Sequence, residues 1–253
     1  MAVNRTLWKE PLRKDYVPNW HCPSCSGGYL RLQLDSLHAL QTRSSIKDQD
    51  ADCWDPDWIR LRFTALLKCQ NENCQESVSV AGLGKVEMMQ ISGNGDFDYV
   101  ELYYPDFVKP SPNFIRVPKE CPSAVRDELS KAFIAAWGDF SSAATHIRTS
   151  IELLLDFLKE PRIKLTKQKR RQTLTLHQRI KNFGNKDREI SDALEAIKWV
   201  GNVGTHSSDI SQDDVFDALD IIEFVLEETL VSRRKNLLAL AKKVIKKKGR
   251  HRR

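Results

Sequence analysis

Nowhere in the 253 residues does an apolar run approach the roughly 18 to 20 needed to cross a bilayer. That lack excludes a helical membrane span. The opening stretch MAVNRTLWKEPLRKDY has no apolar signal core, so secretion is not expected and a cytoplasmic protein is. In a reducing compartment the six cysteines do not form a disulfide framework. No thioredoxin-like strand–helix–strand pattern surrounds Cys22-Pro-Ser-Cys25, which argues against disulfide exchange there. Internal repeats are also missing, so a solenoid is excluded.

Acid is missing from one place. Residues 232–253 hold eleven Lys or Arg and no Asp or Glu. The chain's net charge is +6, so removing the tail's +11 leaves −5 for residues 1–231. A mildly acidic body carries a basic C-terminal helix or tail, and such tails meet nucleic acid or another polyanion, or serve only as a solvated end.

What is present divides the chain. With 41% hydrophobic and 29% charged residues it has the balance of a globular protein. Residues 1–105 read as a β domain. GYLRLQLDSL (28–37) alternates, with Leu30, Leu32 and Leu34 on one side, and WIRLRFTALLKC (58–69) sets Ile59, Leu61 and Phe63 against Arg60 and Arg62. ESVSVAGLGKVEMM (76–89) continues the β character, and the polar stretch 42–57 reads as a loop. Five prolines in 103–122 favour an extended path, so 106–122 is expected to be a linker. Residues 123–231 are helical, with Ile147, Ile151, Leu154 and Leu158 at helical spacing ahead of Pro161. Helices are also expected at 174–183, at 186–200 and from Ser211, where Asp214 completes a capping box. The stretch 161–172 between them is expected to be a basic loop. The expected fold is α+β: a zinc-ribbon-like β domain followed by an all-α bundle.

Cys22/Cys25 and Cys69/Cys74 each sit in a turn beside a strand. Two such turns supply four soft ligands for tetrahedral Zn²⁺, and bound metal adds the folding energy a small β domain lacks. Structural zinc is therefore the expected cofactor. Cys53 and Cys121 have no partner spacing, and His21, beside Cys22, either stands in for a missing ligand or is an outer neighbour. Trp20, Tyr29, Trp54 and Trp58, with Arg31, Arg60 and Arg62, place aromatics and cations near the ribbon. Such a set suits single-stranded nucleic acid or a protein partner. Lys164, Lys167, Lys169, Arg170 and Arg171 form a second cationic group, either solvated or tracking a phosphate backbone.

The runs IRTSIELLLDFL, LHQRI and AIKWVGNVGTHSSDISQDDVFDALDIIEFVLEE resemble a bacterial family of helical domains found in restriction and phage-defence proteins. That family is similar in turn to the HEPN superfamily, whose helical bundles include metal-independent ribonucleases. The zinc-ribbon-plus-helices layout further resembles the ring-activated zinc-finger ribonucleases of antiphage immunity. HEPN ribonucleases carry Arg, a polar residue, three variable positions and His. Laid on Gly201-Asn202-Val203-Gly204-Thr205-His206, the polar residue is Asn202 and the histidine His206, while Gly201 stands where Arg is expected. Arg148 and Glu152, one helical turn apart, are the expected replacement. The resemblance implies RNA cleavage by His206, Arg148, Glu152 and Asn202, RNA and a phage protein trigger as partners, a homo-oligomer, and no membrane partner. Three alternatives remain at this level. One is a non-catalytic sensor or adaptor with a dimerising helical domain. Another is a DNA-binding regulator, against which the lack of an evident recognition helix argues. The third is that Asn202 and His206 cap helix ends, with Gly201 and Gly204 in left-handed turns.

Overall fold

The computed structural model describes residues 3–25, 27–90, 96–165, 170–206, 210–231 and 233–246, without the side chains of residues 203–206 and 233–236. They form two compact units, one of residues 4–114 and 130–143, the other of 1–3, 115–129 and 144–253. The mixed α+β expectation holds: an antiparallel sheet comes first and helices follow.

The first unit opens with the short helix α1 (Arg5–Lys9) and is built on strands β1 (Leu30–Leu32), β2 (His38–Gln41), β3 (Arg60–Cys69), β4 (Ser77–Gln90) and β5 (Phe97–Lys109). The order is β1-β3-β4-β5, with β2 pairing β3 beyond the end of β1. Strict alternation fixes the faces of β3. Leu61, Phe63, Ala65, Leu67 and Cys69 are buried, and Arg60, Arg62, Thr64, Leu66 and Lys68 are exposed. Sliding the register by one residue would expose the whole apolar set, so the pairing is strongly specified. The inner face meets an aromatic cluster. Trp8 lies 4.5 Å from Phe114, Trp20 lies 4.9 Å from Trp137, and the Trp137 indole N–H donates to Ser111 Oγ at 2.9 Å.

Several expectations change here. β1 ends at Leu32, so Leu34 stands outside the strand and is exposed. The 42–57 stretch contains the short helix α2 (Arg43–Asp48), capped by Thr42, instead of being all loop. Strand β5 takes in Asp106–Lys109, the start of the expected linker. Proline hid this strand: Pro105 sits opposite Gly82 where the register shifts, so its missing N–H leaves no gap in the ladder. A Cβ on Gly82 would lie 2.2 Å from the Tyr104 carbonyl oxygen, which is why glycine occupies the bulge. Residues 130–143, which take in the end of helix α3 (Ser123–Ala135), belong with the sheet because Phe133 and Trp137 complete its aromatic cluster.

In the second unit, helix α4 (Phe140–Phe157) buries Ile147, Ile151, Leu154 and Leu155 completely. Leu158, expected on that stripe, lies beyond the helix end and is half-buried. Lys159 closes the helix in a left-handed conformation, φ 60°, and its N–H donates to the Asp156 carbonyl. The all-α expectation fails at 161–172. Ile163–Leu165 and Arg171–Thr173 pair as a small antiparallel hairpin, β6 and β7. The β-branched Ile163 and Thr173 face each other and suit that pairing. Next come α5 (Leu176–Phe183), with a Thr175/Gln178 capping box, and α6 (Arg188–His206). Helix α7 (Gln212–Leu226) opens on the expected Ser211/Asp214 capping box. A π-helical turn (Glu227–Val231) precedes the basic helix α8 (Arg233–Lys246). No described helix is long and apolar enough to cross a membrane.

Candidate metal centre and candidate phosphate site

The two cysteine turns converge. Cys22 Sγ lies 3.7 Å from Cys74 Sγ and Cys25 Sγ 3.7 Å from Cys69 Sγ, and all four sulfurs fall within 4.8 Å of one another. Pairing of Leu30 with Cys69 brings the turns together, because β1 and β3 carry one turn each at the same sheet end. Amides point at the sulfurs: the Ser24 N–H is 3.4 Å from Cys22 Sγ and the Asn71 N–H 3.4 Å from Cys69 Sγ. The Asn71 side-chain amide donates to Cys25 Sγ at 3.6 Å. Gly28 is required by this approach, since a Cβ there would sit 2.2 Å from Cys69 Sγ.

Burial pushes the Cys22 thiol up to about 12 and raises Cys69, whereas the Gly27 N–H holds Cys25 down at about 6. Four clustered thiols cannot all ionise against one another, and a divalent cation removes that conflict. Four thiolates fill a tetrahedral shell and leave no open position, the pattern of a structural ion. Among the described residues this is the one group of three or more metal-capable side chains. Cys53 and Cys121 stand apart, and His21 stacks on Tyr29 at 4.7 Å.

The second candidate site begins with Gly201, which stands where the HEPN pattern has arginine. Helix α6 runs through Gly201 to His206, so the glycine is helical and not a left-handed cap. Its bare face lies against α4. A Cβ on Gly201 would stand 2.6 Å from Arg148 Cβ, 2.9 Å from Arg148 Cδ and 3.2 Å from the Ala144 carbonyl oxygen. Any side chain at 201 would collide with Arg148, so the two positions cannot both carry arginine in this arrangement. The guanidinium beside Gly201 is carried by α4.

Arg148 Nη1 is 3.4 Å from Glu152 Oε1, with the side chains 30% and 39% exposed. The Arg148 Nε is buried with no hydrogen-bond partner. Asn202 follows Gly201 and is half-buried. The backbone of His206 lies one helical turn beyond Asn202, and its side chain lies outside the described residues.

The acids further along α4 are taken up elsewhere. Asp156 accepts from Arg179 at 2.6 Å and from Arg162, whose guanidinium holds its carboxyl below the usual range, and Glu160 pairs with Lys186. Arg179 is almost fully buried, which a basic residue in LHQRI does not advertise; only its tertiary partners reveal it. His177 and His146 have carboxylate neighbours. His177 lies 3.3 Å from Glu195 and 3.2 Å from the Lys198 ammonium, and His146 lies 2.6 Å from Glu128.

The predicted nucleic-acid contacts separate by element. Arg60 and Arg62 project from the outer face of β3, and Arg170 and Arg171 are exposed at the hairpin. Lys167 and Lys169 lie outside the described residues. Trp20 cannot stack on a base, because it is fully buried with its indole N–H given to the Leu7 carbonyl. Trp58 and Tyr29 remain exposed.

Residues 10–110 are similar to a family described as "Domain of unknown function (DUF8608)", and residues 130–248 to one described as "Domain of unknown function (DUF4145)". Each match covers less than half of the chain, and the first ends beside the last residue of β5. No curated protein and no solved structure matches the chain.

Proposed function

We propose that the chain is a cytoplasmic, metal-independent ribonuclease of antiphage defence, HEPN-like in its helical part, whose site lies where α6 meets α4. One observation carries the reading: the contact of Gly201 with Arg148, which explains the departure from the family motif and supplies the missing guanidinium from a neighbouring helix.

Each residue then has a task in cleaving the phosphodiester. The 2′-hydroxyl attacks phosphorus while a base removes its proton, and the 5′-oxygen leaves as an acid returns one. An imidazole can both take and give a proton, and His206 serves in one of these proton transfers. Arg148 donates two N–H groups to the phosphoryl oxygens as charge builds on them. Glu152 holds the guanidinium in place at 3.4 Å. Asn202 donates to the phosphate. Zinc on Cys22, Cys25, Cys69 and Cys74 fixes the two turns and takes no part in the reaction.

An ungated ribonuclease would damage its own cell, so a phage protein trigger or assembly into a homo-oligomer controls it. The zinc-bearing unit and Arg170/Arg171 engage RNA or the trigger. The test is degradation of RNA by the purified chain, with and without candidate triggers. Loss of cleavage in His206→Ala and Arg148→Ala is expected. Equal activity of wild type and His206→Ala removes the catalytic assignment.

A further inference from the structure

The outer face of the five-stranded sheet has no role in that site. Its side chains form rows set by the register. His38, Thr64, Ala81 and Phe107 stand side by side across β2, β3, β4 and β5. Leu40, Arg62, Leu83 and Tyr104 form the next row. Thr64, Ser79 and Ala81 are short, so a shallow cavity of about 380 Å³ opens between His38 and Phe107. Phe107 is 43% exposed and forms one wall. The volume is that of a small-molecule pocket, enough for a planar heterocycle.

Around the cavity cations outnumber carboxylates. Arg60, Arg62 and Lys68 project from β3, Lys85 from β4 and Lys109 from β5. Lys85 lies 5.0 Å from the Tyr104 ring and pairs with Glu87. Asp106, in the bulge, lies within electrostatic reach of Arg62. Those two carboxylates oppose five cations. An apolar partner would leave the cations unpaired, and a duplex would keep its bases stacked away from the ring. An extended strand with unstacked bases satisfies both features, since every base has a face to stack and every linkage a charge to neutralise.

We propose that this face binds single-stranded nucleic acid, with a base seated against Phe107 in the His38–Thr64–Ala81 depression and the backbone running over Arg62, Lys85 and Lys109. The platform stands independently of the helical site and holds whether or not that site cleaves RNA.

The experiment is fluorescence anisotropy of labelled single-stranded RNA, single-stranded DNA and duplex with the full chain carrying His206→Ala, which keeps the probe intact. Both single strands bind and the duplex binds more weakly. Phe107→Ala weakens single-strand binding by about 5- to 100-fold, the usual worth of one stacked base, and Phe107→Tyr retains it. Arg62→Ala flattens the slope of log affinity against log salt by about 0.7, one phosphate contact on a single strand. Ser79→Glu, on an exposed position that removes no packing, abolishes binding and guards against a misfolded Phe107 variant. Unchanged affinity in Phe107→Ala and Ser79→Glu overturns the proposal. So does preference for duplex, or a doubled mass that the Ser79→Glu variant returns to monomer, which would mark the face as a protein interface.

Discussion

Gly201→Ala is the sharpest probe of the helical site, because two effects of opposite sign meet there. Inside a helix, alanine is favoured over glycine by about 1 kcal/mol, so a glycine with open space beside it would gain stability on substitution. Gly201 has no such space: the new methyl would sit 2.6 Å from Arg148 Cβ, an atom fixed to the backbone of α4 and unable to swing away. Forcing a methyl into a filled contact costs about 1–3 kcal/mol. The net expectation is a loss of up to about 2 kcal/mol, and each kcal/mol lowers Tm by about 2–4 °C in a chain of this size. Arg148→Gly removes the obstructing Cβ and side chain, so in that background Gly201→Ala becomes neutral or stabilising. Thermal melts of the four proteins in this cycle give a coupling of about 1–3 kcal/mol, within the range seen for residues in contact. Arg148→Ala is the internal control, because it keeps the Cβ and relieves only the Cδ contact at 2.9 Å. An equal rise in Tm in wild type and Arg148→Gly would falsify the close approach, and with it the account of how arginine is supplied.

Chelation or Cys69→Ser is expected to unfold the sheet unit first, read as loss of the tryptophan near-ultraviolet signal, and mass spectrometry under native conditions should find one zinc per chain. Gly28→Ala should release that zinc, since its methyl would fall 2.2 Å from Cys69 Sγ. Removing the α7 cap with Ser211→Ala should cost about 1 kcal/mol in a urea melt. Hydrogen bonds from Ser211 hold the Asp214 carboxyl below its ordinary value, so its contribution is complete above the unfolded value of about 3.9 and is lost as pH falls through the folded one. The stability difference between wild type and Asp214→Asn should therefore be constant at and above neutrality and shrink as pH falls below the unfolded value, which an acid titration of both proteins checks. Arg179→Ala leaves Asp156 without its 2.6 Å partner and should destabilise by about 3 kcal/mol, whereas exposed Arg170→Ala should stay within about 0.5 kcal/mol.

Legibility followed the range over which each signal acts. Alternation in WIRLRFTALLKC is a local property of a strand with one buried face, and β3 follows it residue by residue. The Ser211 cap is equally local. The cysteine cluster was legible because two short turns each announce a pair, although only the β1–β3 register brings the pairs together. Strand β5 was not legible. Pro105 and Pro110 read as linker, and only its pairing with the Gly82 bulge shows how a proline fits the edge of a sheet. Residues 163–173 misled for a related reason: three-residue strands are too short to carry a period, and the lysines between them suggested a loop.

The GNVGTH stretch shows why local reading stalls at a site. Two glycines in six residues signal a break between helices when only the chain neighbours are considered. Helix α6 nevertheless passes through Gly201, because its missing side chain is used sideways, against Arg148, and not along the backbone for a turn. A glycine costs a helix about 1 kcal/mol, and that cost is offset only if a neighbouring element occupies the space. The bare face of Gly201 therefore makes room for the Arg148 side chain on α4, and the two positions must be read as one unit. A sequence pattern that demands arginine at 201 takes no account of a guanidinium carried 53 residues earlier in the chain and packed beside that position.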